Sequence, residues 1–210
     1  MVWYITAMAK DWRRQGTGDV GALRFDAGSL SLNLVATVAR RFSDPVERLI
    51  SVKYLRRWLS SVGLDVDAAL TDEDLARIRR LRESLDELFR CALAGTQPST
   101  VALAEVNTAA ASSVLQLSSN GTGLAVARDA ASPLDAVMAL VAADAISIVT
   151  GHERGDLRVC NADDCRMLYL AHGRRARRWC SSERCGNRSR VAAHRARAAG
   201  KRAATRGEGP

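Results

Sequence analysis

Four of the five cysteines fall in one short stretch, as Cys160-NADD-Cys165 and Cys180-SSER-Cys185, with fourteen residues between the pairs. Thiolates are soft, charged ligands that lose their protons to a bound metal. Two C-x4-C pairs across one hairpin-sized segment suit a closed tetrahedral site of four sulfurs around one structural Zn²⁺. A redox dithiol would show C-x-x-C beside a βαβ unit, and a catalytic zinc would leave one position open. Neither pattern fits four thiols in two equally spaced pairs. Of the three histidines, His152 precedes the cluster and His194 lies beyond it, so His172 is the one placed to compete as a ligand. Such a site supplies roughly 10–16 kcal/mol of apparent binding free energy, enough to fold a module with little core. The segment RMLYLAHGRRARRW between the pairs is expected to form strand, turn and strand around Gly173, and Cys91 is read as an inert core residue.

The fourth ligand opens a basic segment. The chain has 210 residues and a formal net charge of +8. Residues 1–150 carry 16 basic and 17 acidic side chains, and residues 151–210 carry 15 and 6. The positive excess therefore sits beside the cysteines. Only Lys10, Lys53 and Lys201 are lysines, so the location of the arginines says more than their number. From Asn187 to about Ala204 the chain is Arg/Ala-rich and helix-permissive. Arg188, Arg195 and Arg202 recur every seven residues, near one face, with Arg190, Arg197 and Lys201 beside it. Together with Arg174, Arg175, Arg177 and Arg178 they form the expected nucleic-acid contact, since guanidinium groups neutralise phosphate and pair bidentately with guanine.

The elements that must position this module are helical. A spacing of three to four from Leu30 predicts a helix through Leu34 and Val38 to Arg41, broken at Asp44-Pro45. Ser51 is expected to cap a second helix ending at Gly63, and Thr71-Asp-Glu-Asp74 a long third one ending at Gly95. Ser99 or Thr100 starts a fourth. Val114–Leu117 and Leu124–Arg128 flank SSNGTG and predict a β-hairpin. Ser132-Pro133 opens a fifth helix to Thr150, whose Asp135 and Asp144 and limited length argue against a membrane span. Residues 1–28 read as a flexible leader. The Gly16, Gly18 and Gly21 triplet lacks the flanking strand and helix of a dinucleotide fingerprint. The expected architecture is mainly α: a helical domain with a small hairpin over residues 29–150, a zinc finger of hairpin and basic helix over 156–204, and a disordered tail at 205–210.

The segment RVCNADDCRMLYLAHGRRARRWCSSERCGNRSRVAAHRAR, from Arg158, resembles the bacterial CGNR-type zinc finger. Arg178-Trp179-Cys180 and the quartet Cys185-Gly186-Asn187-Arg188 carry the likeness. SLSLNLVATV and YLRRWLSSVGL resemble the opening Leu-Asp-Leu-Val-Asn-Thr signature and the Trp-Leu helix of the ABATE-like stress-response regulatory domain that precedes this finger. Asn33 and Ala36 replace the signature's acidic and Asn positions, and Ala171 replaces an acidic residue of the finger. The resemblance implies a transcription regulator.

No GxSxG, P-loop or HExxH is present, so the helical domain is expected to sense or dimerise rather than catalyse. Asp144 falls in the apolar series Val137, Val141, Ile148. With Asn33 it is the candidate for a ligand pocket, against the plainer reading of Asp144 as a salt-bridge or stripe-edge group. The expected partner is DNA, with one structural zinc as cofactor, a homodimer and an unidentified small-molecule effector as further candidates, no membrane, and a cytoplasmic, nucleoid-associated location. The alternative is a zinc-stabilised RNA- or protein-interaction module, with Tyr169 and Trp179 as candidate base-stacking groups.

Overall fold

The computed structural model describes residues 2–4, 22–66, 68–119, 124–171 and 177–206. The cap residues decide where most helices start. Ser29 accepts from Leu32 N at the head of α1 (Leu30–Val35). α2 (Val52–Ser61) begins after Ser51, whose side chain makes no cap bond. Thr71 and Asp74 form a reciprocal capping box for α3 (Asp72–Ala94), which Gly95 ends in the left-handed conformation. Ser99 caps α4 (Thr100–Ala111), and Ser132 with Pro133 opens α5 (Pro133–Thr150).

Strands fill the intervals. β1 (Val2–Tyr4) pairs antiparallel with β5 (Leu124–Ala130), which pairs on its other side with β4 (Ser113–Ser119). The β4–β5 register runs from Ser113 opposite Ala130 to Ser119 opposite Leu124. The Asn120-Gly121 turn lies outside the described residues. β2 (Val38–Ala39) and β3 (Val46–Glu47) form a miniature hairpin, and β6 (Leu157–Val159) pairs with β7 (Leu168–Leu170). A 3₁₀ turn over His152–Asp156 joins α5 to β6, and a π-type turn over Ser182–Gly186 leads into α6 (Asn187–Arg206).

The first helix is shorter than its spacing predicts. It ends at Val35, where the Thr37 hydroxyl donates to Leu34 O at 2.6 Å and Arg48 N donates to Thr37 O at 2.9 Å. Thr37 and Val38 are β-branched, and the tertiary bond to Arg48 draws them into an extended path instead. Arg82 reaches this hairpin from α3, donating to both Glu47 oxygens and to Thr37 Oγ1.

α5 packs against α1, α3 and α4. Its eighteen residues are long and apolar enough to cross a membrane by length and composition, contrary to the expectation of a segment too short to do so. Burial identifies its place here: Leu134, Val137, Val141 and Ile148 join Leu32, Trp58, Ile78, Leu85 and Phe89 in one core. Asp135 is held by Ser132 and Arg77.

That core also contains Leu157, Leu168 and Leu170 from the finger and Phe25 and Ala27 from the segment read as leader. Residues 22–28 are thus packed: Leu170 N donates to Ala27 O at 2.8 Å. At the other end α6 continues to Arg206, two residues into the expected tail. Residues 5–21, with Gly16, Gly18 and Gly21, and residues 207–210 lie outside the described residues.

Candidate metal centre and basic helix

Strand periodicity builds the floor of the metal centre. In β7, Leu168 and Leu170 enter the helical core, while Tyr169 between them joins the finger's own cluster of Cys160, Ala162, Ala171, Cys180 and Cys185. Alternation along a strand sends neighbours to opposite faces, so one short strand serves both cores. Cys160 follows β6 and Cys165 precedes β7, which makes the first C-x4-C pair the loop of the β6–β7 hairpin. Cys160 N donates to Met167 O at 2.8 Å and Cys165 N to Ala162 O at 2.9 Å. The hairpin therefore closes around the first ligand pair. The turn expected around Gly173, with His172, Arg174 and Arg175, lies outside the described residues.

The second pair is carried by the turn before α6. Ser181 Oγ accepts from Arg184 N at 3.3 Å, and Ser181 O accepts from Gly186 N at 3.0 Å. Gly186 lies beneath the Trp179 ring, with a Cβ position only 3.4 Å from the indole edge. The two pairs are tied by Asn161 N donating to Arg178 O at 3.0 Å.

The four sulfurs lie within 4.8 Å of one another. Cys165–Cys180 and Cys180–Cys185 are 3.7 and 3.6 Å apart. A tetrahedron with Zn–S arms of about 2.3 Å has edges of about 3.8 Å, so the donor set fits zinc. Cys160, Cys180 and Cys185 are buried and Cys165 is half-buried. Hydrogen bonding with Cys165, opposed by Cys180, brings the Cys160 thiol down to about 7, whereas bonds to the other three sulfurs push Cys185 up. Cys160, Cys165, Cys180 and Cys185 hold one structural zinc ion. Bound there, zinc would fix the hairpin and the root of α6.

Arginines surround the sulfurs. Arg24 Nη1 donates to Cys180 Sγ at 3.4 Å while Nε and Nη2 grip Asp26 at 2.9 and 2.6 Å. Arg188 Nη2 donates to Cys185 Sγ at 3.5 Å and to Asp164 Oδ1 at 3.0 Å. Arg188 is therefore turned back to the cluster. Arg190 bonds Ser182 O at 3.5 Å. Arg195 and Arg197 are exposed, and α6 is solvent-facing along most of its described length. Lys201 and Arg202 lie on its last turns. Arg177 donates to Leu170 O at 3.0 Å and sits over the Tyr169 ring, as Arg178 does over Trp179.

Tyr169 is fully buried, donates its hydroxyl to Arg177 O, and is raised to about 12 by that burial. It is not available for base stacking. Asn33 belongs to α1, and Asp144, on α5, bonds the start of that helix. Asn33 Oδ1 accepts from Ala27 N at 3.1 Å, and Asp144 Oδ2 accepts from Ser31 N at 2.8 Å and from its hydroxyl. They hold the helix start and the packed segment before it, and the Asp144 partner is Ser31 rather than the arginine that a salt bridge would require. Arg24, Arg48 and Arg184 are the neighbours of the centre that the sequence did not single out. Arg184 alone carried a signal, its place between two ligands.

A family model for ABATE, described as "Putative stress-induced transcription regulator", matches residues 28–152, and one for the CGNR zinc finger matches residues 157–198. No curated protein matches the chain. The first match spans more than half the chain and the second holds all four sulfur ligands, so the chain belongs to the ABATE family and joins its regulator domain to a CGNR zinc finger.

Proposed function

We propose that the protein is a DNA-binding transcription regulator whose basic α6 docks on duplex DNA. One observation carries this reading: a twenty-residue helix, exposed along most of its described length and rich in arginine, is rooted in the metal cluster through Cys185. At 1.5 Å per residue it extends about 30 Å, the order of one turn of duplex. A polar helix with no packed face has little to hold it in place, and the zinc-fixed turn supplies that anchor. Arg190, Arg195 and Arg197 are the proposed contacts, with Lys201 and Arg202 further along and Arg174, Arg175, Arg177 and Arg178 from the preceding segment. The helical domain acts as sensor or dimerisation module rather than enzyme, and the protein works in the cytoplasm, where its DNA is. The burial of Tyr169 weighs against the base-stacking RNA alternative.

Titration of the zinc-loaded protein into labelled duplex, followed by anisotropy at several salt concentrations, tests this. The expected log–log slope is steeper than about −4. Replacing Arg195 and Arg197 by glutamine should make it shallower by about one for each phosphate that is no longer neutralised. No binding at low salt with zinc in place would overturn the DNA reading.

A further inference from the structure

A cavity of about 260 Å³ opens where the helical domain meets the finger. Its apolar part is Ala36, Val38, Ala39 and Met167, and Arg24, Arg40, Arg48, Arg184 and Arg188 also line it. Cys165 and Cys185 lie on its wall, so it abuts the metal centre.

Several of these charges already have work. A zinc ion on four thiolates leaves two negative charges, which Arg24 and Arg188 meet with N–H···S bonds, and the same two arginines hold Asp26 and Asp164. Arg40 holds Asp44 through Nη2. Two donors remain. Arg40 Nε, from the helical domain, and Arg184 Nη2, from the finger, are buried and have no hydrogen-bond partner among the described residues. A buried N–H of a charged group left without an acceptor is costly, and a small turn of either lining side chain toward an acceptor in the cavity would recover that cost. Burial, then repulsion from Arg24 and Arg184, lowers Arg48 to about 10, still protonated at neutral pH and favouring negative charge nearby. Asn187 also lines the cavity, so it opens at the positive end of a long helix. The two lining carboxylates, Asp164 and Glu183, are both exposed.

We infer that this cavity binds a small free oxyanion, a phosphate- or carboxylate-bearing metabolite, between Arg40 and Arg48 of the helical domain and Arg184 of the finger. Mono- and dianionic oxygens match guanidinium forks, and the apolar patch beside them admits a short carbon skeleton. The oxyanion bridges the two parts at the root of α6. That it regulates DNA binding rests on the proposed function; the binding itself does not.

The test uses the zinc-loaded full chain with inorganic phosphate as probe, at constant ionic strength set with chloride, and isothermal titration as readout. Saturable phosphate binding is expected in the parent chain. Arg184→Gln and Arg40→Gln should each weaken it at least tenfold, while Arg80→Gln, on the exposed face of α3, should not. Zinc content and circular dichroism establish that each variant is folded. Absence of saturable binding, or equal binding in Arg184→Gln and Arg40→Gln to that of the parent, overturns the assignment. Strictly competitive displacement of phosphate by duplex, without a limiting affinity as duplex rises, would make the cavity part of a nucleic-acid contact and overturn the free-effector assignment, whereas weakening to a finite limit is the coupling of an effector. Retained phosphate binding beside a chain that binds no duplex would uphold the site and sink only the DNA reading.

Discussion

The Arg24 guanidinium donates to the Cys180 sulfur at 3.4 Å across 156 positions of sequence. It comes from a segment that lies along β7, and it is only 5% exposed. Burial opposes its charge, but hydrogen bonds to Asp26 and the field of Cys180 outweigh that and raise its pKa. A guanidinium donor to a ligating thiolate stabilises the negative charge that zinc leaves on the sulfurs, as outer partners of metal ligands generally do.

Arg24→Ala should therefore weaken zinc affinity by about 10–100-fold, read by competition with a chromophoric chelator. Arg24→Lys should recover part of it, because a charge remains. Unchanged affinity in the alanine variant would mean that the N–H···S contact does nothing for the metal.

Removal of zinc should lower the melting temperature of the whole chain rather than release α6 alone. Leu157, Leu168 and Leu170 belong to the helical core, and the hairpin that carries them closes through the first ligand pair. Calorimetry with and without chelator measures this. An unshifted main transition would show that the two parts unfold independently.

Gly28→Ala should destabilise the chain by about 1–3 kcal/mol. Gly28 has φ +106°, and an added Cβ would lie 2.8 Å from Leu170 Cβ, a contact between the segment before α1 and β7. Urea denaturation of the zinc-loaded variant reads the loss. A stability equal to that of the parent would mean that the two segments part without cost.

Glu47 gives the stability its acid dependence. Burial pushes the Glu47 carboxyl up, but hydrogen bonds and charge from Arg82 win and hold it below 4.5. A carboxyl depressed by folding contributes stability that is present in full above its unfolded value and lost as pH falls through the folded one. Stability should thus fall as pH drops below about 4.5, and Glu47→Gln should flatten that fall. Denaturation midpoints at pH 3 to 7 check it, and an unaltered slope in the variant would assign the acid sensitivity elsewhere.

Asp144→Ala should cost about 1 kcal/mol by removing the acceptor of Ser31 N in the first turn of α1. Asp144→Asn keeps an acceptor oxygen and should cost less. Equal losses in both variants, measured by thermal melting, would point to charge rather than the hydrogen bond.

Sequence alone determined the features that depend on near neighbours. The metal ligands were legible because C-x4-C spacing is itself the geometry of a turn around an ion. The starts of α3, α4 and α5 were legible because a capping side chain bonds a backbone N–H three residues on, as Thr71, Ser99 and Ser132 do. Only the tertiary structure decided how the parts meet. α1 stops at Val35 because Arg48, just after β3, bonds Thr37. The hairpin that holds the first ligand pair uses β6, upstream of Cys160, because Leu157, Leu168 and Leu170 have a larger core to enter. Arg24 reaches Cys180, and Arg40 and Arg184 face one cavity, by folding alone. A charge that counts through a contact more than a hundred residues away leaves no periodicity in the chain, so its role becomes visible when burial removes the water between the partners.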